Sequence, residues 1–236
     1  MKHSSGKTLY ADFESGKRLF TILIDPDKTD PSQVQLLLKR LPKQTTHLFV
    51  GGSIVAKGKT ETLVSALKKC TELPIILFPG DASQITGEAD GLLFLSLLSG
   101  RNPEFLIEQH IKAIPKLKNT SLEILPTAYI LIDGGNETAV QRVSKTFPMK
   151  QNDIKGITNT ALAAQYSGKK LIYLEAGSGA KIPVNTRIIK AVAETVTIPI
   201  IVGGGIRDAK TIALAYNSGA TMVVVGTAFE EGDFTG

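Results

Sequence analysis

Residues able to do chemistry gather in the last third of the chain. Tyr173 and Glu175 end the apolar run Lys170-Leu171-Ile172-Tyr173-Leu174, and Glu175 leads straight into Ala176-Gly177-Ser178-Gly179. Two more glycine-bearing runs follow, Val202-Gly203-Gly204-Gly205-Ile206 and Val225-Gly226-Thr227. Glycine lets backbone N–H groups approach an anion with no Cβ in the way. Three such loops in succession point to one shared phosphate site. Tyr173 and Glu175 are two apart on a strand, so both face the same way. A carboxylate repels a neighbouring phosphate, which makes a purely binding role costly for Glu175. A general base taking a proton from a hydroxyl of the same ligand makes sense of its position. Taken alone, Glu175 also reads as a solvated strand-end glutamate.

A second constellation lies in the first quarter. Ile24-Asp25-Pro26-Asp27-Lys28 ends one apolar run and Val50-Gly51-Gly52-Ser53 ends the next. Asp25 suits Mg2+, which takes one or two carboxylates and fills its shell with water and phosphate oxygens. Asp-Pro-Asp is equally common turn chemistry. Ser53 would place its hydroxyl beside the same metal or a phosphate oxygen, or serve as a helix cap after a tight turn. Lys28 stands where it could hold a diphosphate.

These residues need a frame that brings chain-distant strand ends together. Apolar runs at 19–24, 47–50, 74–78, 91–95, 122–128, 170–174, 199–202 and 221–225 alternate with stretches of helical period. Almost continuous Val, Ile, Leu and Phe marks strands buried on both faces. The pattern predicts an α/β fold, a (β/α)8 TIM barrel, in a single domain over residues 1–236. In such barrels the loops after strands 7 and 8 commonly bind phosphate. The alternation is shared with doubly wound sheets, so strand count alone decides little.

Helices are expected at 31–41 after Asp30, 103–117 after Asn102, 185–196 and 208–217, with Gly219 as a stop. Residues 136–167 have room for two more. Residues 79–90 barely suffice for a crossover helix, so the third helix should be missing or stunted, leaving an apolar gap. About ten residues follow the eighth strand, too few for a full helix, so cover there would come from the N-terminal segment or be lacking.

The chain has 236 residues, a net charge of +5, 42 % hydrophobic and 21 % charged residues, so one large core is within reach. The mild positive charge suits an anionic substrate or loose attraction to an acidic membrane surface, and equally a soluble basic protein. No dense Lys/Arg block with interleaved aromatics appears, which argues against nucleic acid. With one cysteine, Cys70, no intrachain disulfide can form; at a helix end it reads as a small buried hydrophobe. His3, His47 and His110 lack metal-ligand spacing, and Gly203-Gly204-Gly205-Ile206-Arg207 lacks the dinucleotide spacing. Without a signal peptide or an apolar run near 18 residues, the expected location is cytoplasmic.

The motifs together resemble the geranylgeranylglyceryl phosphate synthase family, with its bacterial heptaprenylglyceryl phosphate synthase relatives. The resemblance rests on 23–28, 50–53, Leu97-Leu98-Ser99-Gly100-Arg101-Asn102-Pro103, 173–179, 203–207 and Gly226-Thr227. Tyr-Leu-Glu-Ala-Gly-Ser-Gly is its specific part, whereas Gly-Gly-Gly-Ile-Arg is shared loosely with many phosphate-binding barrels.

That resemblance implies a lipid-biosynthetic prenyltransferase joining sn-glycerol 1-phosphate to geranylgeranyl diphosphate, or another polyprenyl diphosphate, through an ether. It implies a barrel whose third helix is replaced, and Mg2+ on Asp25 and Ser53. It implies glycerol phosphate held by Tyr173, Leu174, Glu175, Ala176, Gly177, Ser178, Gly179, Gly204, Gly205, Gly226 and Thr227. Glu175 would be the base and Tyr173 would orient or stack at the reacting centre. The prenyl chain would lie in the gap left by the missing helix. Phe78 or Phe94 could set its length. A homo-oligomer, dimer or hexamer, is expected, with peripheral membrane contact compatible. Two rivals remain: a metal-free sugar-phosphate isomerase on the same barrel, and a non-catalytic binder of phosphorylated ligands.

Overall fold

Eight apolar runs become strands because both of their faces are covered, by the barrel interior on one side and by helices on the other. In the computed structural model, which describes residues 8–235, these are β1 (Leu19–Ile24), β2 (His47–Val50), β3 (Ile75–Leu77), β4 (Gly91–Leu97), β5 (Glu123–Leu131), β6 (Leu171–Glu175), β7 (Ile200–Gly203) and β8 (Met222–Val225). Every strand pairs in parallel with its sequence neighbours. β8 returns to β1 through Leu19↔Met222 to Ile22↔Val225, so the eight close into a barrel, as expected.

The helices are α1 (Leu9–Phe13), α2 (Val34–Lys39), α3 (Lys59–Lys68), α4 (Gln109–Leu117), α5 (Ala139–Ser144), α6 (Ile154–Tyr166), α7 (Thr186–Thr195), α8 (Ala209–Asn217) and α9 (Thr227–Glu231). The expected Asx caps at Asp30 and Asn102 form, and Asn185 and Asp208, expected inside their helices, are caps as well: the four accept the amides of Ser32, Glu104, Arg187 and Thr211 through Oδ1. Asp30 and Asn102 do not open regular α-helices, however. Pro31–Gln33 is a 3-10 turn ahead of α2, and Glu104–Glu108 is a π-turn feeding α4.

The two-residue period of the strands sorts side chains into two layers. Phe49, Ile76, Leu93, Leu125, Tyr129, Tyr173, Ile201 and Val224 fill the barrel interior. Ile22, Leu48, Leu77, Ile172, Leu174 and Val202 point outward against Ile188, Ile189 and Val192 of α7 and their counterparts. Burying such an isoleucine contributes roughly 1.5–3 kcal/mol, so this amphipathic helix owes its place to packing.

Between β3 and β4 only the 3-10 turn Ala82–Gln84 forms, so the helix expected to be missing or stunted is indeed replaced. Outside β4 an apolar groove remains, lined by Ile85, Leu92, Phe94, Phe105, His110 and Ala113 and continuous with the barrel mouth.

Both chain ends differ from expectation. Among the described residues, the N-terminal segment does not cover the place of the last helix. Instead α1 seals the barrel floor, where Leu9 and Phe13 join the interior cluster. Glu123, the first residue of β5, accepts the amides of Leu9 and Tyr10 and fixes the helix there. The closing cover comes from the C-terminal tail: α9 follows β8, Phe234 stacks on Phe20 at 5.9 Å, and Thr235 bridges to Asp208. Cys70 is exposed, not buried. The buried face of α3 is Leu63, Val64 and Leu67, and the helix ends at Lys68 before its period returns to the core. His3 lies outside the described residues.

Candidate active site

The C-terminal ends of the strands form one mouth, and both predicted constellations line it. β6 delivers Tyr173 and Glu175 on the inward face. A Cβ built on Gly203, the last residue of β7, would lie 2.6 Å from Glu175 Oε2 and 2.7 Å from the Tyr173 hydroxyl. The three groups therefore share one point beneath the mouth. Glu175 Oε1 accepts the Gly177 amide at 2.7 Å.

Glu175 is buried, and its carboxyl titrates far above the usual glutamate range, pushed up to about 7. Desolvation raises it; the Gly177 amide and the neighbouring Tyr173 hydroxyl oppose this by favouring the ionised form. The Tyr173 hydroxyl sits beside the carboxylate without a hydrogen bond of good geometry, and its burial drives its own pKa well up. Beneath it lies an aromatic floor. The Phe78 ring is 5.2 Å from Tyr173, and Tyr129 is 5.4 Å from Tyr173.

The glycine loops close around the same space. Gly177, Gly179, Gly204 and Gly205 all have positive φ, between +69° and +102°. At Gly204 a side chain would meet Glu175 Oε1 at 2.3 Å and the Gly177 amide nitrogen at 2.6 Å, so the position tolerates only glycine. Among the described residues, the amides of Ser178, Gly179, Gly204 and Gly205 have no acceptor in the protein. Ser178 Oγ and Thr227 Oγ1 are 2.9 Å apart and link the β6 and β8 loops. Gly226 also lines the mouth.

Leu174 and Ala176 are placed otherwise. Both side chains belong to the outer helix-packed layer, and the Ala176 amide donates to Gly203 O at 3.0 Å.

Asp25 and Ser53 follow the ends of β1 and β2, and both line the cavity. Asp25 Oδ1 accepts the Asp27 amide at 2.9 Å, leaving its carboxylate about a quarter exposed at 23 %. Ser53 is half-buried at the cavity edge. An oxygen-only pair of this kind fits Mg2+, whose remaining ligands are water and substrate oxygens. Among the described residues no group of three or more His, Cys, Asp or Glu forms a complete cage. Lys28 is engaged: its Nζ lies 2.9 Å from Glu230 Oε2 and 3.9 Å from Asp25 Oδ2, and Glu230 raises its pKa.

Phe78 belongs to the floor of the mouth. Phe94 stacks on His110 at 4.1 Å in the outer groove. Sequence reading missed Tyr129 and Arg207, which also line the cavity. Tyr129 pairs in register with Tyr173 across β5 and β6, a neighbour that no local pattern in the sequence gives.

Residues 13–235 match the model of the PcrB family. A geranylgeranylglyceryl phosphate synthase from Zunongwangia profunda is 56 % identical over 218 residues, 92 % of this chain and 93 % of that protein. One from Pyrococcus abyssi is 38 % identical over 221 residues, 93 % and 87 % of the two chains. A crystal structure of (S)-3-O-geranylgeranylglyceryl phosphate synthase from Thermoplasma acidophilum, in complex with substrate sn-glycerol-1-phosphate, aligns with TM-score 0.88 at 33 % identity, covering 95 % of this chain and 92 % of that chain. The family match over almost the whole chain and the identity to these proteins agree with the shared fold, and the chain belongs to the PcrB family.

Proposed function

We propose that this protein is a prenyltransferase that forms an ether between sn-glycerol 1-phosphate and geranylgeranyl diphosphate, yielding 3-O-(geranylgeranyl)glyceryl 1-phosphate and diphosphate. The carrying observation is the buried Glu175, titrating near 7, set between unpaired glycine amides and an apolar groove. The relatives' names and the bound substrate of the Thermoplasma structure support the reading. The groove disfavours a metal-free sugar-phosphate isomerase, whose substrate has no apolar tail.

The amides of Ser178, Gly179, Gly204 and Gly205, with Thr227, hold the phosphate. Gly177 and Gly226 shape that pocket; Leu174 and Ala176 act through the strand backbone only. Glu175 takes the proton of the glycerol 3-hydroxyl as that oxygen bonds to carbon 1 of the prenyl chain. The bond from carbon 1 to diphosphate breaks, and its electron pair leaves with diphosphate. Tyr173 orients the reacting centre and offers a ring face to cation-like carbon 1. Asp25 and Ser53 would hold Mg2+, which when bound neutralises the leaving diphosphate. The groove takes the chain.

One barrel unit spanning 1–236 carries the reaction, in the cytoplasm, for phospholipid biosynthesis. Exposed Ile107, Ile111 and Ile114, at helical spacing in the 103–117 segment, support a homo-oligomer, dimer or hexamer, or peripheral membrane contact. No helix among the described residues is long and apolar enough to cross a membrane. The test is to offer labelled sn-glycerol 1-phosphate with prenyl diphosphates of several lengths, with and without Mg2+. A Mg2+-dependent geranylgeranyl ether is expected, and absence of any labelled lipid would sink the reading.

A further inference from the structure

We propose that Gln84 is a positioning residue that sets the Ser53 hydroxyl against Asp25 by clamping the peptide of Gly52; the inference rests on the site reading above. Gln84 ends the 3-10 turn that stands in for the missing helix, and it is only 3 % exposed. A buried carboxamide costs stability unless both of its functions are paired. Here both are spent on one residue 32 positions away. Nε2 donates to Gly52 O at 2.8 Å, and Oε1 accepts the Gly52 amide at 3.4 Å. The side chain thus acts as one rung of a strand pair for a loop that has left the sheet.

The turn is itself anchored. Gln109 Oε1 accepts the Ala82 amide at 2.8 Å, and Lys116 Nζ donates to Ser83 O at 2.7 Å. Both anchors sit on α4, whose His110 and Ala113 line the apolar groove. On its far side Gly52 meets Asp25: a Cβ there would lie 3.2 Å from Asp25 Oδ1. Gly80 passes so close that a Cβ on it would be 2.5 Å from Ser53 O. Gly52 is therefore held between the metal-facing aspartate and Gln84, and the spacing of the Asp25–Ser53 pair follows from that clamp. Gln84 does not line the cavity, so it acts through Gly52 and not on a ligand.

The test compares wild type with Gln84→Met, which keeps length and loses both hydrogen bonds, and Gln84→Glu, which keeps the acceptor for the Gly52 amide. Hydrogen exchange is followed in peptides covering 50–55 and 175–180. Calorimetry measures magnesium pyrophosphate and sn-glycerol 1-phosphate separately. Gln84→Met should speed exchange at 50–55 alone and weaken magnesium pyrophosphate about tenfold, with glycerol phosphate binding held within about twofold. Gln84→Glu should fall between, and serves alone if Gln84→Met does not fold. Unchanged exchange at 50–55, or equal loss for both ligands, overturns the proposal. A wild type blind to magnesium pyrophosphate brings down the site reading and this inference together. Wild-type binding that survives Gln84→Met intact brings down the inference only.

Discussion

One oxygen of Glu175 is committed to Gly177, whose amide it accepts at 2.7 Å, while the other faces Tyr173 and the end of β7. The carboxylate therefore holds the 175–179 loop with one edge and keeps the other towards Tyr173, free for the proposed role of base. Removing the charge while keeping the shape separates these duties. Glu175→Gln should retain the Gly177 hydrogen bond and bind sn-glycerol 1-phosphate within about twofold, but lose about 100- to 10,000-fold in kcat, the usual span for a general base. Calorimetry and a radiolabelled prenyl-transfer assay read the two effects; undiminished turnover refutes the base.

The raised carboxyl pKa has two consequences of opposite sign. Turnover needs the ionised form, so the rate should climb through pH 7, about tenfold between pH 6 and pH 8. Stability goes the other way. The native state binds more protons than the unfolded chain between the usual glutamate pKa and about 7, so this group's stability is full in acid and is lost as pH rises through that window. Glu175→Gln should therefore raise stability at pH 8 by on the order of 3 kcal/mol, with the gain shrinking towards pH 5. Thermal melts of both proteins across pH decide it, and a gain that does not depend on pH would contradict the burial account.

Asp25→Asn or Ser53→Ala should raise the Mg2+ concentration for half-maximal activity at least tenfold and change glycerol phosphate binding far less, because both follow β1 and β2 whereas the glycine loops follow β6 and β7. Chelation with EDTA should abolish wild-type turnover. A Mg2+ titration of each variant is the check, and curves that superpose with wild type would remove the metal from these residues.

Gly204→Ala should weaken glycerol phosphate binding at least tenfold and cost about 1–3 kcal/mol of stability, since φ is +82° and the added methyl meets Glu175 Oε1. Titration and denaturant melts test it. Wild-type affinity in the variant would show that the β7 loop does not hold the phosphate.

The barrel and its missing helix were legible because their signals are local. Runs such as Ile200-Ile201-Val202 have no polar face to offer, and twelve residues between apolar runs barely suffice for a crossover helix. The caps at Asp30 and Asn102 were legible for the same reason: each partner lies two residues on. Leu174 and Ala176 could have been turned outward on paper by the two-residue period of β6 that brings Tyr173 and Glu175 inward. Cys70 was misread because burial depends on where α3 stops. Gln84 and Tyr129 were out of reach. Their partners, Gly52 and Tyr173, are adjacent only once the barrel has closed.

Because α1 stoppers the bottom of the cylinder, with Leu9 and Phe13 wedged among interior side chains, the enzyme is a cup and not a pipe. Under the proposed reaction, alcohol and diphosphate must both come and go by the same rim. A prenyl chain held in the apolar groove would instead leave sideways along that trough, so traffic at the rim would be sorted by polarity.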